Sequence, residues 1–314
     1  MTIAVSILYV VLGLFLLERS SNAFVDGAAA VAWRFKVSPF IIGMVVIGFG
    51  TSAPELCVSL MAGVSGRANL SLGNAYGSCV FNIAAILGVA AVIFPLTVRR
   101  RSVLVAGPAL AAIGLLSMWF LMDGSASRYE AVWLILVFAS FFPFYCWLNR
   151  GEAEMPAPGG AAGKLSVDIA KLVLGLVVLV GSSHLLVVGA SNLARAMGVS
   201  ELMIGLTVVA VGTSLPELAA AIQSARRGQT EFVIGNIVGS NLFNMLAVVG
   251  IACVFSGAKG YSANVVRRDL PVIIVLSLLL AVFGRKGRVS RLAGIVWLVM
   301  FVIYAFLAIY QELP

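Results

Sequence analysis

Charge is scarce in this sequence: Asp, Glu, Lys and Arg together make up 11% of its 314 residues, against 61% hydrophobic ones. Soluble domains carry about a quarter charged and about 45–50% apolar residues, so a soluble globular fold is excluded. There is one histidine, His184, and the four cysteines (Cys57, Cys79, Cys146 and Cys253) show no paired spacing. That leaves no Ser–His nucleophile, no His/Cys metal cluster and no disulfide framework. The thiols are expected to be buried and inert, and His184 to be structural or interfacial. No pair of mid-membrane aspartates suggests an intramembrane protease, so no enzyme and no cofactor are expected. Alternating ten-residue strands of a membrane barrel are also missing. The N-terminus lacks a basic n-region and a clear cleavage site, so residues 3–17 read as a retained helix.

What is abundant is long apolar runs. They fall at roughly 3–17, 39–63, 70–94, 103–121, 130–148, 167–188, 201–223, 231–255, 270–284 and 290–310. Helices of this kind cross a hydrocarbon core of about 30 Å, and the predicted fold is an all-α polytopic membrane protein of about ten transmembrane helices. The formal charge of +8 does not point to nucleic acid, because the basic residues lie in short loops between apolar runs. There they set topology. Fifteen of the 21 Lys and Arg residues, Arg99, Arg100 and Arg101 among them, fall on one face. That face is expected to be cytoplasmic, with both termini outside. Trp33, Trp119, Trp133, Trp147 and Trp297 are expected to be mostly interfacial anchors.

The chain is duplicated. Gly50-Thr51-Ser52-Ala53-Pro54-Glu55 returns as Gly212-Thr213-Ser214-Leu215-Pro216-Glu217, a shift of 162 residues. Gly43 and Gly205, Gly73 and Gly235, Asn82 and Asn244, and Gly88 and Gly250 keep the same shift without a gap. Such a repeat should be settled before any other feature. It divides the chain into a first repeat over 1–148, a polar cytoplasmic linker over 149–166 and a second repeat over 167–314. Five spans per repeat is an odd number, so the second copy enters the membrane from the opposite side. Inverted repeats of this kind build transporters whose site lies near the midplane, often on broken helices.

The repeated motifs carry the chemistry. A carboxylate at the centre of a span costs about 2.5–3.5 kcal/mol and marks an ion pathway; neither Glu55 nor Glu217 has a basic residue nearby in its span. Thr51 and Glu55, like Thr213 and Glu217, are four residues apart, which places hydroxyl and carboxylate on one helical face. Pro54 and Pro216 break the helix and free the carbonyls of Gly50 and Gly212. A second pair of segments, Gly73–Asn82 and Gly235–Asn244, adds Ser78 with Asn82 and Ser240 with Asn244. Gly73 and Gly77 have the spacing that lets membrane helices pack closely, while Asn74 and Asn236 suit either a brace for the helix break or an ion contact. All these donors are oxygens, a set that fits a hard, many-liganded cation such as calcium. Sodium ions fit the same oxygens.

The paired G-T-S-x-P-E and G-N-x-x-G-S-x-x-F-N segments resemble the two alpha repeats of the sodium/calcium exchanger family, within the calcium/cation antiporters. The likeness covers roughly 37–92 and 199–254, and the short central loop is similar to that of compact prokaryotic members. The resemblance implies antiport by alternating access in a prokaryotic inner membrane, with calcium and sodium as the partners. It also implies that Thr51, Ser52, Glu55, Ser78 and Asn82, with Thr213, Ser214, Glu217, Ser240 and Asn244, are ion ligands. One position departs: well-known members carry Asp where this chain has Asn244. A proton-coupled calcium antiporter is the nearest alternative, since each glutamate could exchange calcium for a proton; a cation channel is more remote.

Overall fold

The computed structural model describes residues 2–148, 164–198, 208 and 210–312. The expected 149–166 linker therefore lies almost wholly outside the described residues, as do Gly205 and the start of the seventh apolar run. In the first half, α1 (Ile3–Arg34), α2 (Pro39–Thr51), α3 (Ala53–Val64) and α4 (Ala68–Ile93) are followed by strand β1 (Leu96–Thr97), α5 (Arg100–Leu121), strand β2 (Ser125–Ala126) and α6 (Arg128–Leu148). The second half runs α7 (Leu165–Ala196), α8 (Ala210–Thr213), α9 (Leu215–Arg226), α10 (Thr230–Phe255), β3 (Ala258–Lys259), α11 (Leu270–Gly284), β4 (Arg288–Val289) and α12 (Arg291–Glu312).

The shift of 162 seen in the motifs is carried by whole helices: moving α1 by that amount gives α7 at both ends, and moving α3 gives α9. Among the described residues, six helices are individually long and apolar enough to cross a membrane, and the pair α2 and α3, bent by 47° at Ser52, makes a seventh. The other expected places are held by α6, by α11 with the turn before it, and by the broken pair α8 and α9. Each break is locally encoded. Ser38 caps α2 by accepting a hydrogen bond from the Ile41 N–H at 3.3 Å, and proline stands in the first turn of α3 and of α9, where its missing N–H costs nothing.

Two helices are longer than hydropathy suggested. The run expected at 3–17 continues to Arg34, and that expected at 167–188 spans 165–196. Glu18 and Arg19 end the apolar run but not the helix, because the polar groups beyond them find partners. Arg34 pairs with Asp168 at 3.1 Å, and Arg227 binds both Asp26 and Asn22. At 32 residues, each of α1 and α7 is ~48 Å long, more than a bilayer core requires.

These two equivalent helices pack against each other and run in opposite directions, since Gly13 meets Leu186 while Gly27 meets Leu172. A structural element facing its own copy head to tail is the signature of an inverted repeat. The approach is close enough to exclude side chains: a Cβ on Gly27 would lie 2.4 Å from the Leu172 nitrogen, and one on Gly175 would lie 2.7 Å from the Phe24 nitrogen. Glycine is used likewise where α10 crosses α2, with Gly239 against Met44.

At the centre stand α4 and α10, most of whose residues are buried, whereas α1 and α12 are largely open. Exposed Leu8, Phe15, Val177, Val302 and Phe306 give the outer helices the apolar surface that lipid requires. Trp33, Trp119, Trp133 and Trp147 are exposed as expected, but Trp297 is fully buried and packs edge-on against Phe283 at 5.3 Å, so it belongs to the core. Cys57 is exposed too, contrary to expectation, because it lies on the outer side of α3; Cys79 and Cys253 are buried. His184 is exposed on α7.

Two very short antiparallel ladders tie the halves together. Leu96 and Thr97 pair with Val289 and Arg288, and Ser125 and Ala126 pair with Lys259 and Ala258. Close to the first ladder, Glu231 at the start of α10 accepts the Arg99 N–H, and Thr230 donates to the Thr97 carbonyl. Gly27→Ala and Gly235→Ala, each placing a methyl group against backbone atoms of the other repeat, are expected to destabilise the detergent-purified protein by about 1–3 kcal/mol. Unfolding midpoints equal to wild type for both variants would show that the repeats do not pack this closely.

Candidate cation site

The break at Ser52 turns α3 away from the axis of α2 and leaves Thr51 at the end of one helix and Glu55 in the first turn of the next. The second repeat does the same with Thr213 closing α8 and Glu217 in the first turn of α9. Both carboxylates thus sit at helix N-termini, where unpaired N–H groups favour negative charge. Both are fully buried, and among the described residues neither forms an ion pair with a Lys or Arg.

The two breaks exchange partners. Ser52 Oγ donates to Glu217 Oε1 at 2.8 Å, and Ser214 Oγ donates to Glu55 Oε1 at 2.9 Å. Thr51 Oγ1 instead donates to the Ile47 carbonyl at 2.8 Å within its own helix. The four-residue spacing within each motif pointed instead to a hydroxyl and a carboxylate sharing one helical face. The bend at the break defeats that geometry, and each carboxylate turns to the hydroxyls of the opposite repeat. The remaining oxygen of each, Glu55 Oε2 and Glu217 Oε2, is buried without a hydrogen-bond partner among the described residues.

The freed carbonyls do not all reach the centre. Gly212, released by Pro216, accepts a hydrogen bond from Ser183 Oγ of α7 at 2.6 Å, so that oxygen is already used. Asn74 and Asn236 prove to be braces. Their amide nitrogens donate to the main-chain oxygens of Glu55 at 3.1 Å and of Glu217 at 3.2 Å, fixing the first turn of α3 and α9. Asn236 Oδ1 additionally lies 3.5 Å from both Thr51 Oγ1 and Ser240 Oγ.

The other sequence-derived candidates converge on the same place from α4 and α10. Ser78 Oγ lies 3.5 Å from Ser214 Oγ, and Ser240 Oγ donates to the Gly48 carbonyl at 3.1 Å. Asn82 and Asn244 are fully buried in wide π turns, Phe81–Ile86 and Phe243–Val248, set inside the two central helices. Such turns are rare and concentrate at functional sites. Asn82 Oδ1 and both polar atoms of Asn244 have no partner among the described residues. Among the described residues nothing lies within 4 Å of where a Cβ on Gly73 or Gly77 would sit, so no close helix packing is seen at this pair. Among the described residues no group of three His, Cys, Asp or Glu side chains could hold a metal ion; the polar groups gathered beside the two carboxylates are Ser, Thr and Asn side chains.

Sequence reasoning passed over Asn241, which is fully buried beside this centre and bonded to Asn82. Its counterpart in the first repeat is Cys79, so the repeat comparison marked the position as variable.

Comparison with known proteins fits this arrangement. The sodium/calcium exchanger protein family matches residues 5–147 and again 168–310, nearly the whole chain in two copies. The chain belongs to the sodium/calcium exchanger family. Exchangers of this family are transporters. The sequence is 33% identical to the inner membrane protein YrbG of Escherichia coli, covering 92% of this chain and 94% of the relative. It is 28% identical to the sodium/calcium exchanger MaX1 of Methanosarcina acetivorans, covering 98% and 99%. The fold superposes on the solved sodium-calcium exchanger NCX_Mj with a TM-score of 0.85 at 30% identity, over 96% of this chain and 98% of the other. Further structures of NCX_Mj were obtained after soaking with sodium together with strontium.

The exchange of partners between repeats can be measured by thermodynamic coupling. Ser52→Ala is expected to cost about 1.5–3 kcal/mol in ion-free protein, the range for a hydrogen bond to a charged group. It should cost clearly less once Glu217 is Gln, yet the same amount when Glu55 is Gln. The reverse pattern in chemical unfolding would place the hydroxyl within its own motif.

Proposed function

We propose that this chain is a secondary active antiporter that exchanges calcium for sodium by alternating access, with Glu55 and Glu217 as the charged ligands of the transported ions. The observation that carries this reading is the pair of buried carboxylates, one per inverted repeat, each hydrogen-bonded across the repeats through one oxygen and bare at the other. Two bare carboxylate oxygens with no protein cation beside them suit one divalent ion, whose charge they would neutralise. Asn82, Asn244, Ser78, Ser240 and the hydroxyls of Thr51, Ser52, Thr213 and Ser214 supply further oxygens, and calcium takes six to eight. Sodium accepts the same hard donors.

The repeats, 1–148 and 167–314, act in this reading as two halves that open the shared centre to opposite sides of the membrane, joined by the 149–166 linker. A site built from the ends of broken helices at a repeat interface is the general arrangement for such transport. Family membership supports the choice of ions, the likeness to a bacterial inner membrane protein supports a prokaryotic inner membrane, and the excess of Lys and Arg on one face supports both termini outside.

The test uses inverted membrane vesicles. An outward-directed or inward-directed sodium gradient is expected to drive calcium movement in the opposite sense. Glu55→Gln and Glu217→Gln should each reduce it to the level of vesicles without the protein. Calcium movement that follows a pH gradient and ignores sodium overturns the sodium coupling, and unchanged movement in either variant overturns the role of that glutamate.

A further inference from the structure

The inverted repeat places one pair of equivalent residues against each other. Cys79 and Asn241 differ by the repeat shift of 162, and they touch: Asn241 Nδ2 donates to the Cys79 carbonyl at 3.3 Å, and the Cys79 thiol faces the Asn241 carbonyl at 3.9 Å. Residues that meet their own counterpart lie on the pseudo-twofold axis. This position is fully buried between α4 and α10, one helical turn from the candidate ligands.

An amide has a donor end and an acceptor end, and its orientation is read from its neighbours. The Cys79 carbonyl can only accept, so the end of Asn241 that touches it is Nδ2. The other end is therefore Oδ1, which can only accept in turn, and it receives Asn82 Nδ2 at 3.0 Å. The chain of polarity then reaches its last atom, Asn82 Oδ1, which is buried and without a partner among the described residues. A main-chain carbonyl on the axis thus dictates, through one intervening side chain, that Asn82 presents oxygen and hides its nitrogen. In the second repeat the corresponding place holds Cys79, which has no side-chain amide to do this, and among the described residues both Oδ1 and Nδ2 of Asn244 are without partners.

We propose that Asn241 is a positioning residue for ion binding: it locks the Asn82 amide with its oxygen toward the cation, so that the first repeat supplies a preset neutral ligand and the second repeat, through Asn244, an unset one. The consequence for selectivity is direct. A preset oxygen needs no reorientation when an ion arrives, and an NH2 group turned inward would repel any cation. The inference rests on the exchanger reading above, in which Asn82 is a ligand.

Calcium binding to the detergent-purified full chain, followed by titration with calcium chloride, separates the two. Asn82→Ala and Asn241→Leu are each expected to weaken binding by about 10-fold, the usual scale for losing a group that orients a metal ligand. The double variant should bind within about twofold of Asn82→Ala alone, because the second change has nothing left to orient. A merely structural amide would instead give losses that multiply. Multiplying losses, or wild-type affinity in Asn241→Leu beside weak binding in Asn82→Ala, overturns the positioning role and leaves the site intact. Unchanged binding in Asn82→Ala overturns the ligand assignment on which the inference rests. Asn241→Ser, which removes the amide with a smaller apolar intrusion, carries the same expectation. If neither Asn241 variant yields monodisperse protein, the amide holds the fold rather than the ligand, and the inference fails.

Discussion

Two buried carboxylates without a cationic partner among the described residues are the constraint around which this molecule is built. In a low-dielectric interior an isolated carboxylate is costly, and proteins relieve that cost by pairing it or by hydrogen-bonding it. Here each glutamate receives a serine hydroxyl from the other repeat and the N-terminal end of its own helix. Relief is incomplete, because one oxygen of each remains bare. The broken helices follow from this requirement. A continuous helix would carry its N–H groups in hydrogen bonds, and only a break exposes a helix start at membrane depth. Irregular backbone is tolerated there because it is enclosed by protein.

The rest of the fold encloses that break. The central helices α4 and α10 bring the Ser and Asn side chains to it, and their π turns widen the helix where Asn82 and Asn244 sit. Asn74 and Asn236 hold the first turns of α3 and α9 by their main-chain oxygens. Glycines at the crossings let backbones of opposite repeats approach to van der Waals contact, which serine-to-carboxylate hydrogen bonds of under 3 Å demand. Close packing and the polar centre are therefore one design: neither distance is reachable if the other is relaxed.

Much of this was readable in the sequence because duplication supplied an internal control. A lone Glu55 in an apolar run is an oddity; its return as Glu217 with the same neighbours marks a candidate site, and the two serines at the breaks that bond these carboxylates were among the residues so marked. What was hidden depends on contacts between distant segments. The spacing of Thr51 and Glu55 described an unbroken helix, and only the 47° bend reveals that hydroxyls serve the opposite carboxylate. The full length of α1 was masked by Glu18 and Arg19, since hydropathy cannot see that Asp26 and Arg34 find partners just past the end of α9 and on α7. Trp297 has the composition of an anchor and the surroundings of a core residue. Asn241 was missed for the opposite reason: comparing repeats discards whatever the repeats do not share.

That unshared position has a further meaning. In an assembly of two identical subunits, a residue on the twofold axis meets its own image, so its chemistry must be compatible with itself and any change is made twice. Joining the copies in one polypeptide lifts that restriction, and a thiol can face an amide across the axis. The axis thus becomes the place where a symmetric scaffold can hold an asymmetric pair of ligands, with no change required anywhere else in the fold.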